Sequence, residues 1–445
     1  MSAERILIVS HGHPDLSPGG GEIAAYSQWQ ELRRQGIEAV FLAYSGDNQG
    51  HPGTPFSARS ADGREMLFHA PPIDPFKQSQ TQRRVVYEDF REFLLTFRPT
   101  AVHFHHYAHL GLELIREARH YSAEIPIILT LHEYLGMCNA FGQMLKTNGM
   151  LCQRAHPMDC SNCFPERSPQ DFFLRELFVK SFFSLVDRFV CPSVFLRDRY
   201  VAWGLPLERM VVLENGQPLP HNLGSDQPGE TGKTRASANE PTTNGARTRF
   251  VVIGQLSESK GTRVVLDAAM MLPKRLKDRI RIEVHGSTQI KDATLVASLR
   301  SAHDRLNPLL RYCGPYLHAN VDTILERADW VIVPSLWWEN SPLVIQEAFR
   351  AGRPVICSNI GGMAEKVEDG INGLHFMAGN AADLARCIEN AATSPGLWER
   401  LSQAIPTPVN IRDTVTSQLL LYRSGRSAVD RPATDLRIVA GGVKT

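Results

Sequence analysis

Short apolar runs that alternate with helical segments constrain the fold of this chain more than any other feature. The first example is RILIVSHGHPDLSPGGGEIAAYSQWQELRRQGIEAVFLAYS, which begins at residue 5. Its apolar run at 6–9 predicts a strand buried on both faces, and a helical pattern covers 22–34 after a glycine-rich loop. Gly36 ends that helix, and 37–43 predict a second strand. The opening therefore predicts a βαβ unit of a parallel, doubly wound sheet.

The same alternation recurs in both halves and predicts an α/β fold with two Rossmann-like doubly wound domains. Further apolar runs predict strands at 100–106, 126–132, 187–193, 249–254, 279–286, 329–335 and 353–358. Residues 221–248 contain almost no large apolar side chain and are rich in Gly, Pro, Ser, Thr and Asn, which is typical of a flexible linker.

These patterns give the expected domain organisation. An N-terminal domain covers 1–220, the linker 221–248 and a C-terminal domain 249–405. The tail, 406–445, has a last helix over about 412–424 that can pack back and an end that is frayed. Two such domains leave a cleft between them, and clefts of this kind are favoured ligand sites.

Composition excludes several classes of function. The 445 residues carry a formal net charge of +1, so no overall field attracts nucleic acid. No apolar run reaches the roughly eighteen residues of a membrane-spanning helix, and the N-terminus lacks the pattern of a signal peptide. We therefore expect a cytoplasmic protein, whose eight cysteines are thiols or metal ligands rather than disulfides.

Two carboxylates stand out in the stretch WWENSPLVIQEAFR at 337–350. Ser341 and Pro342 predict a helix start, with Ser341 as the cap and Pro342 in the first helical position. Glu339 then lies in the preceding loop and Glu347 on the second turn, beyond the carboxyl edge of a strand, where open sheets bind ligands. The alternative is a pair of ordinary solvated glutamates.

Groups suited to an anion accompany this pair. The free N–H groups of Leu343 and Val344 would open the helix toward the same space. The stretch GQLSESKG at 254–261 follows the first strand of the second half, with Gly254 for a tight turn and Lys260 as a cation. Carboxylates for hydroxyls and cationic groups for phosphate fit a nucleotide sugar.

A glycine pair and a tryptophan pair are weaker signals near the same strand ends. Gly361 and Gly362 follow a strand, where backbone without a side chain can approach a ligand closely. Trp337 and Trp338 can either stack on a base or sugar, or pack beneath the loop.

Taken together, these motifs resemble the family-4 retaining glycosyltransferases, which have the two-Rossmann GT-B fold. The resemblance rests on GQLSESKG, ENSPLVIQEAFRAGRPVI and GGMAEKVEDGINGL in the second half. The first half agrees through PGGGE at 18–22, LTLHE at 129–133 and the run from CPS to LENG at 191–216. It covers most of residues 4–400.

The resemblance implies a donor site in the second domain. Glu347 would accept hydrogen bonds from the ribose hydroxyls, Glu339 would contact the transferred sugar, and Lys260 would stabilise the leaving diphosphate. The donor site would also include Gly254, Gln255, Ser341, Leu343, Val344, Gly361 and Gly362.

The resemblance also implies roles in the first domain. Gly20 and Gly21 would offer backbone N–H groups to the phosphates, and His132 would lie near the reacting carbon. Such enzymes usually keep the anomeric configuration, with the leaving phosphate helping to deprotonate the acceptor. The acceptor would be a saccharide or a lipid-linked glycan in polysaccharide biosynthesis, and no catalytic metal is expected.

One departure from the family pattern leaves a rival open. Gln255 stands where the family usually has an arginine, so charge must come from Lys260, Arg263 or the helix dipole. The rival is a catalytically weak protein that binds nucleotide sugar as a scaffold or regulator. Within catalysis, an epimerase or a phosphorylase of the same fold is an alternative. No Asp-x-Asp motif supports a metal-bridged diphosphate site.

Four of the eight cysteines fall within 26 residues, at Cys138, Cys152, Cys160 and Cys163. The pair spaced Cys-x-x-Cys with two more upstream predicts a structural four-thiolate site, with zinc as the first candidate and an iron–sulfur cluster as the second. His156 is a spare ligand, and a set of unrelated thiols is the alternative.

Two further stretches remain open to interpretation. In VHFHHYAH at 102–109, His103 and His105 share a strand face and could bind metal or, with greater weight, touch substrate where the strand ends. The Phe-rich stretch 171–190 predicts a buried core helix. An exposed surface for a lipid-linked acceptor, at the inner face of a membrane, is the alternative.

Overall fold

The computed structural model describes residues 4–46, 54–69, 71–81, 83–218, 247–288 and 293–424. The chain divides into two compact units, one formed by 1–218 with 409–445 and the other by 219–408. Most of the predicted linker 221–248, and the tail beyond 424, lie outside the described residues.

The first unit alternates strands and helices, as its apolar runs predict, except over 38–80, where five strands follow one another with no helix among the described residues. In chain order the elements are β1 Arg5–Ser10, α1 Gly20–Arg34, β2 Glu38–Tyr44, β3 Phe56–Ala58, β4 Glu65–Phe68, β5 Ile73–Asp74, β6 Ser79–Gln80, α2 Arg83–Phe97, β7 Ala101–Phe104, α3 Glu113–Tyr121, β8 Ile127–Thr130, α4 Pro157–Cys163, α5 Pro169–Phe183, β9 Arg188–Cys191, α6 Val194–Ala202 and β10 Met210–Val212.

The second unit repeats the pattern, and a last helix returns to the first unit. Its elements are β11 Thr248–Ile253, α7 Thr262–Met271, β12 Ile280–His285, α8 Ala293–Leu306, β13 Leu310–Gly314, α9 Val321–Glu326, β14 Trp330–Val333, α10 Leu343–Arg350, β15 Val355–Ser358, α11 Gly361–Lys366, β16 Gly373–Phe376, α12 Ala381–Thr393 and α13 Leu397–Gln403, followed by α14 Ile411–Arg423. Helix α14 packs against α1.

The sheet of the first unit is parallel except at one edge. Its order is β10-β9-β8-β7-β1-β2-β4-β3, and only the pairing of β3 with β4 is antiparallel. The strand order reverses between β1 and β7, so the loops that follow these two strands meet at the carboxyl edge. Open α/β sheets bind ligands at such a switch point.

The sheet of the second unit is parallel throughout, in the order β13-β12-β11-β14-β15-β16. Its switch point lies between β11 and β14, and each face has its own apolar core. GQLSESKG follows β11 and WWENSP follows β14, so the sheet order brings the two predicted donor motifs together.

Helix α5 departs from the buried core helix that its sequence predicts. Phe172, Val179 and Phe182 are buried, whereas Phe173, Leu174 and Leu177 are each at least half exposed. The apolar residues that go nearly all round the helix therefore divide between the core and the surface. Among the helices that the structure describes, none combines the length and apolar character that a membrane span requires.

Candidate functional site

The switch point of the second unit holds an ion pair. Lys260 Nζ lies 2.5 Å from Glu339 Oε1. The same carboxylate oxygen accepts hydrogen bonds from Ser335 Oγ at 2.7 Å and Trp337 Nε1 at 3.0 Å. Glu339 is only 6% exposed, which excludes the interpretation as a solvated loop charge. Three donors on one oxygen fix its position and keep the buried carboxylate compensated.

Trp337 does not stand apart from this pair. Lys260 Nζ lies 5.2 Å from the centre of the Trp337 ring, within the range of a cation–π contact. One side of the tryptophan therefore supports the lysine while its indole N–H holds the carboxylate. Ser335, at the end of the strand segment, was missed by the sequence reasoning because a lone serine carries no spacing signal.

The glycines of this site permit close backbone packing. Gly261 has a φ of +73°, and a Cβ there would lie 1.9 Å from the carbonyl oxygen of Pro334. A Cβ on Gly362 would lie 1.4 Å from the carbonyl oxygen of Asn340, and the Gly362 N–H donates to the Glu339 carbonyl at 2.7 Å. Within the second unit, these glycines let neighbouring loops clasp the segment that carries Glu339.

Helix α10 carries the other glutamate. Glu347 lies on its second turn, as predicted, and is 7% exposed, which excludes a solvated helix residue. Burial raises the pKa of Glu347 to about 7; the Arg350 charge opposes this shift and Asp322 adds to it. His318 Nδ1 lies 3.9 Å from the Glu347 carboxylate. A buried acid poised near neutrality beside a switch point is typical of a functional site.

The predicted cap of this helix is wrong by one position. The helix begins at Leu343, Pro342 occupies the capping position, and no side chain caps it. The Ser341 hydroxyl instead accepts a hydrogen bond from the Gln346 side chain at 3.1 Å. The proline cannot donate a backbone hydrogen bond, so Leu343 and Val344 remain the first helical N–H groups of α10.

Gln255, the departure from the family pattern, is exposed at the same edge. Gly254 before it has a φ of +131°, and a Cβ on Gly286 would lie 1.9 Å from the Gly254 carbonyl oxygen. The turn is therefore closely packed on one side, and Gln255 projects from it. Arg263, the proposed compensating charge, lies 3.8 Å from Glu258.

In the first unit, a buried hydrogen-bonded chain ends at His132. Gln28 Oε1 lies 2.7 Å from His105 Nε2, and His105 Nδ1 lies 3.1 Å from His132 Nε2. An amide oxygen only accepts, so His105 Nε2 carries the proton and His105 Nδ1 accepts from His132 Nε2. Burial and neighbouring histidines hold the pKa of both rings well below the usual value, so both are neutral. His132 therefore keeps Nδ1 as its acceptor nitrogen.

The glycine loop lies directly against this histidine. A Cβ on Gly21 would meet the rings of His11 and His132 at 3.4 Å, so the start of α1 packs on both. Glu22, in the first turn, lies 3.2 Å from His11 Nε2. Gly20 is the first residue of α1 and is exposed. The structure thus brings Gly21 and His132 together within the first unit.

A second acid lies beside them. His106 Nδ1 accepts from the backbone N–H groups of Tyr107 and Ala108, both at 2.9 Å, so its Nε2 donates to Glu133 Oε1 at 2.8 Å. Burial raises the pKa of Glu133 to about 8, although the Leu135 N–H and the Arg175 charge lower it. The LTLHE motif indicates His132 but carries no signal for Glu133, because the His106 and Arg175 that surround it are distant in the sequence.

His103 and His105, the candidate metal ligands of the sequence, make hydrogen bonds to protein side chains. His103 Nδ1 faces the Gln28 amide at 3.1 Å, and its Nε2 faces Thr130 Oγ1 at 2.7 Å. Both nitrogens of His105 are used in the chain described above. These contacts join residues distant in sequence, which is why spacing alone could not predict them.

The four clustered cysteines converge on one cavity of the first unit, and each is half-buried. Their sulfur atoms are not drawn together as in a metal centre. Among the described residues, the potential ligand atoms of one group lie within 4.8 Å of one another. This group is Glu283, His285 and Cys313, in the second unit.

Family profiles match both halves of the chain. The profile described as "Glycosyl transferases group 1" matches residues 234–407. The profile described as "Glycosyl transferase 4-like domain" matches residues 19–216. Together they cover most of the chain.

Individual relatives agree with these profiles. Glycogen synthase of Mycobacterium tuberculosis is 24% identical over 353 residues, which is 77% of this chain and 73% of that protein. D-inositol 3-phosphate glycosyltransferase of Mycobacterium leprae is 30% identical over 170 residues, 38% of each chain.

Solved structures share the fold at low identity. Anabaena Alr3699/HepE in complex with UDP and glucose aligns with a TM-score of 0.59 at 17% identity, over 94% of this chain and 99% of that one. Sucrose-phosphate synthase from Thermosynechococcus elongatus aligns with a TM-score of 0.66 at 15% identity, over 95% and 98%.

Proposed function

This chain belongs to the group 1 glycosyltransferases and has two Rossmann-like domains, and we propose that it transfers a hexosyl group from a nucleotide diphosphate sugar to an acceptor hydroxyl with retention of configuration. The observation that carries the proposal is the donor site of the second unit. There, a buried acid on α10 and a buried carboxylate paired with the partly exposed Lys260 lie at the carboxyl edge of one sheet.

The lysine–carboxylate pair suits a bound diphosphate sugar. Phosphate oxygens would take Lys260 as their cation, and sugar hydroxyls would donate to the Glu339 carboxylate. Ser335 and Trp337 keep that carboxylate in place when the lysine turns to the phosphate. Positioning and charge stabilisation are what this transfer needs from the protein.

The nucleotide would be held by α10. Its first N–H groups, at Leu343 and Val344, suit a phosphate, and Glu347 would accept the ribose hydroxyls. Gly254, Gln255, Ser341, Gly361 and Gly362 complete the proposed donor site. UDP is the first nucleotide to test, since the Anabaena relative of the same fold was solved with UDP and glucose.

The first unit would serve the acceptor. His132 presents Nδ1 as a hydrogen-bond acceptor beside the glycine loop of Gly20 and Gly21, which fits contact with a hydroxyl of the donor sugar or the acceptor. No metal takes part in the proposed transfer.

The proposed acceptor is a saccharide or a lipid-linked glycan of polysaccharide biosynthesis. The exposed side chains of Phe173, Leu174 and Leu177 on α5 support a lipid-bearing acceptor or work at the inner face of a membrane. The rival, a protein that binds nucleotide sugar without turnover, is favoured only by Gln255, which carries no charge at the leaving-group position.

A binding panel and a turnover assay test the proposal. UDP-, GDP- and ADP-sugars are screened by thermal shift, because a ligand that binds the native state raises its stability. We expect one nucleotide class to raise the Tm, and that donor to be hydrolysed or transferred. Binding without turnover contradicts transfer and supports the rival, whereas no binding by any nucleotide sugar overturns both.

Two variants locate the site. Glu347→Ala should weaken nucleotide binding by at least about tenfold, since buried hydrogen bonds to a charged group contribute about 1.5–3 kcal/mol. Glu326→Ala removes an exposed glutamate of the same unit and should leave affinity unchanged. Equal affinity in both variants would remove Glu347 from the donor site.

A further inference from the structure

We propose that Cys138, Cys152, Cys160 and Cys163 hold a structural metal group through four thiolates and that this group fixes the loop beside Glu133. The proposal adds a metal centre that takes no part in sugar transfer. The segment that carries the cysteines, 138–163, is called the cysteine loop below.

Three pieces of the cysteine loop deliver sulfur atoms to one cavity. A short hairpin, with a bridge between Leu145 and Leu151, places Cys152 beside Met144, whose carbonyl accepts the Cys152 N–H at 2.8 Å. Helix α4 then presents Cys160 and Cys163, three positions apart and so on one helix face.

Cys138 reaches the same cavity from the other end of the loop. Its N–H donates to the Tyr134 carbonyl at 2.8 Å, which ties it to the segment after β8. All four cysteines line the cavity, together with apolar side chains such as Met137, Met144 and Phe164. Four cysteines from three backbone pieces that face one space are the donor set of a tetrahedral thiolate site.

The cysteine loop has no apolar core of its own. From residue 145 to residue 170 no residue is buried, and α4 contributes none. A segment of this length without a buried side chain needs another source of stability, and small structural units commonly obtain it from a metal. The described cysteines form no disulfide, so disulfides do not supply this stability.

The sulfur positions indicate what binding requires. A zinc–sulfur bond of about 2.3 Å places tetrahedral sulfurs about 3.8 Å apart. No three of these sulfurs lie within 4.8 Å of one another, so zinc requires the cysteine side chains to turn into the cavity. An iron–sulfur cluster, whose own atoms separate the cysteine sulfurs, accommodates a wider spacing. Both are four-thiolate centres, and metal analysis distinguishes them.

The cysteine loop contacts the segment that carries Glu133, next to His132. The assignment of this segment to the acceptor rests on the proposed function. The Tyr134 N–H donates to the Gly142 carbonyl at 3.2 Å. A Cβ on Gly142 would lie 1.4 Å from Glu133 Oε2, so the loop backbone presses on that carboxyl group. Glu133 in turn accepts from His106. Loss of the metal should therefore loosen the wall beside Glu133.

A second potential ligand group provides the control. Glu283, His285 and Cys313 lie within 4.8 Å of one another in the second unit. However, Arg281 Nη1 lies 3.9 Å from the Glu283 carboxylate, and this positive charge opposes a divalent cation. We therefore expect metal to remain when Cys313 is replaced.

Metal analysis of the whole chain tests the proposal. Protein purified anaerobically from cells supplied with zinc and iron should contain about one zinc per chain. About four irons per chain, together with the visible absorbance of an iron–sulfur cluster, would support the proposal equally. Cys160→Ser with Cys163→Ser should lower the metal content at least about tenfold, and Cys313→Ser should not change it.

Alkylation of the wild-type cysteines provides a second test, which does not depend on whether the double variant folds. In the wild-type chain, the four cysteines should react with iodoacetamide slowly before a chelator is added and at least about tenfold faster afterwards. Equal rates, or metal below about a tenth of an equivalent per chain, would overturn the proposal. Loss of metal in Cys313→Ser alone would place it at the other group. Metal content is measured without substrate, so either result leaves nucleotide-sugar binding to be judged separately.

Discussion

At the scale of single residues, Glu347 combines a buried position with a carboxylate that the proposed function needs ionised. Burial raises its pKa to about 7, so the free protein holds the proton near neutral pH. The folded state then binds this proton more tightly than the unfolded chain does. The contribution to stability is complete below the unfolded pKa of about 4.5 and is lost as the pH rises through 7.

Nucleotide-sugar affinity should follow the ionisation of Glu347. Ribose hydroxyls donate to the carboxylate, and the protonated acid is a poorer partner, so affinity should rise about tenfold between pH 6 and pH 8. Isothermal calorimetry with an intact nucleotide sugar measures this, because its diphosphate diester does not titrate in that range. Glu347→Gln should bind more weakly and show a flat profile. A steep profile in Glu347→Gln would assign the titration to another group.

His132 illustrates what a sequence does not reveal at this scale. The motif LTLHE locates the histidine after a strand, and the resemblance assigns it to the reacting carbon. Its ring orientation and proton depend on Gln28 and His105, which lie 104 and 27 positions earlier in the chain. Such partners are set by the sheet order, and local spacing carries no record of them.

At the scale of elements, the loop that carries Glu339 is held by glycine backbone. From the sequence, Gly361 and Gly362 are expected to approach a ligand. In the structure Gly362 contacts the loop itself, through the Glu339 and Asn340 carbonyls. Packing against the loop and lying near a ligand are compatible roles, because the packing holds the Glu339 carboxylate in a fixed place.

Gly362→Ala should therefore damage the site through the backbone. The added Cβ would lie 1.4 Å from the Asn340 carbonyl oxygen, so the loop must shift. Overpacking of this kind costs about 1–3 kcal/mol of the free energy of unfolding. We expect kcat to fall at least about tenfold as Glu339 moves relative to Lys260.

Gly396→Ala is the matched control for this substitution. Gly396 has a φ of +70° with open space around its Cα, so alanine there is strained, by about 1–2 kcal/mol, without touching a neighbour. Denaturant unfolding measures both costs, and steady-state kinetics should show a loss only in Gly362→Ala. Similar kcat values in the two variants would mean that the clasp does not position Glu339.

The element pattern was predictable where apolar runs are long and less so at element ends. The nine predicted strands and α10 occupy the expected stretches, because buried parallel strands read as continuous apolar runs. The short strands β3 to β6, and β10, β13 and β16, are not predicted by such runs. The cap at Ser341 was misplaced, because a serine before a proline can serve either as a cap or as a partner of Gln346. Helix α5 was assigned to the core, since its apolar residues alone do not indicate how far a neighbouring helix covers them.

At the scale of the whole molecule, the repeated βαβ order explains why each unit places its functional groups at one edge. In both sheets the strand order reverses at the first strand, β1 or β11. The loops after the reversing strands meet there, which joins His11 to His106 in one unit and Lys260 to Glu339 in the other. In the first unit, the loop after the neighbouring strand β8 adds His132 beside Gly21. A chain that repeats the pattern therefore gathers polar and charged side chains at the carboxyl edge of each sheet, within each unit separately.

Separate cores predict separate responses to ligands. The first unit has its own apolar cluster, closed by α14, and the second has two clusters around its sheet. Units with their own cores can unfold independently. Differential scanning calorimetry of the full chain should then show two transitions, one that rises with a nucleotide sugar and another that falls when a chelator removes metal from the cysteine loop. The first ligand acts on the unit of Lys260 and Glu347, the second on the unit of His132. A single transition that shifts with both treatments would mean that the two units unfold as one.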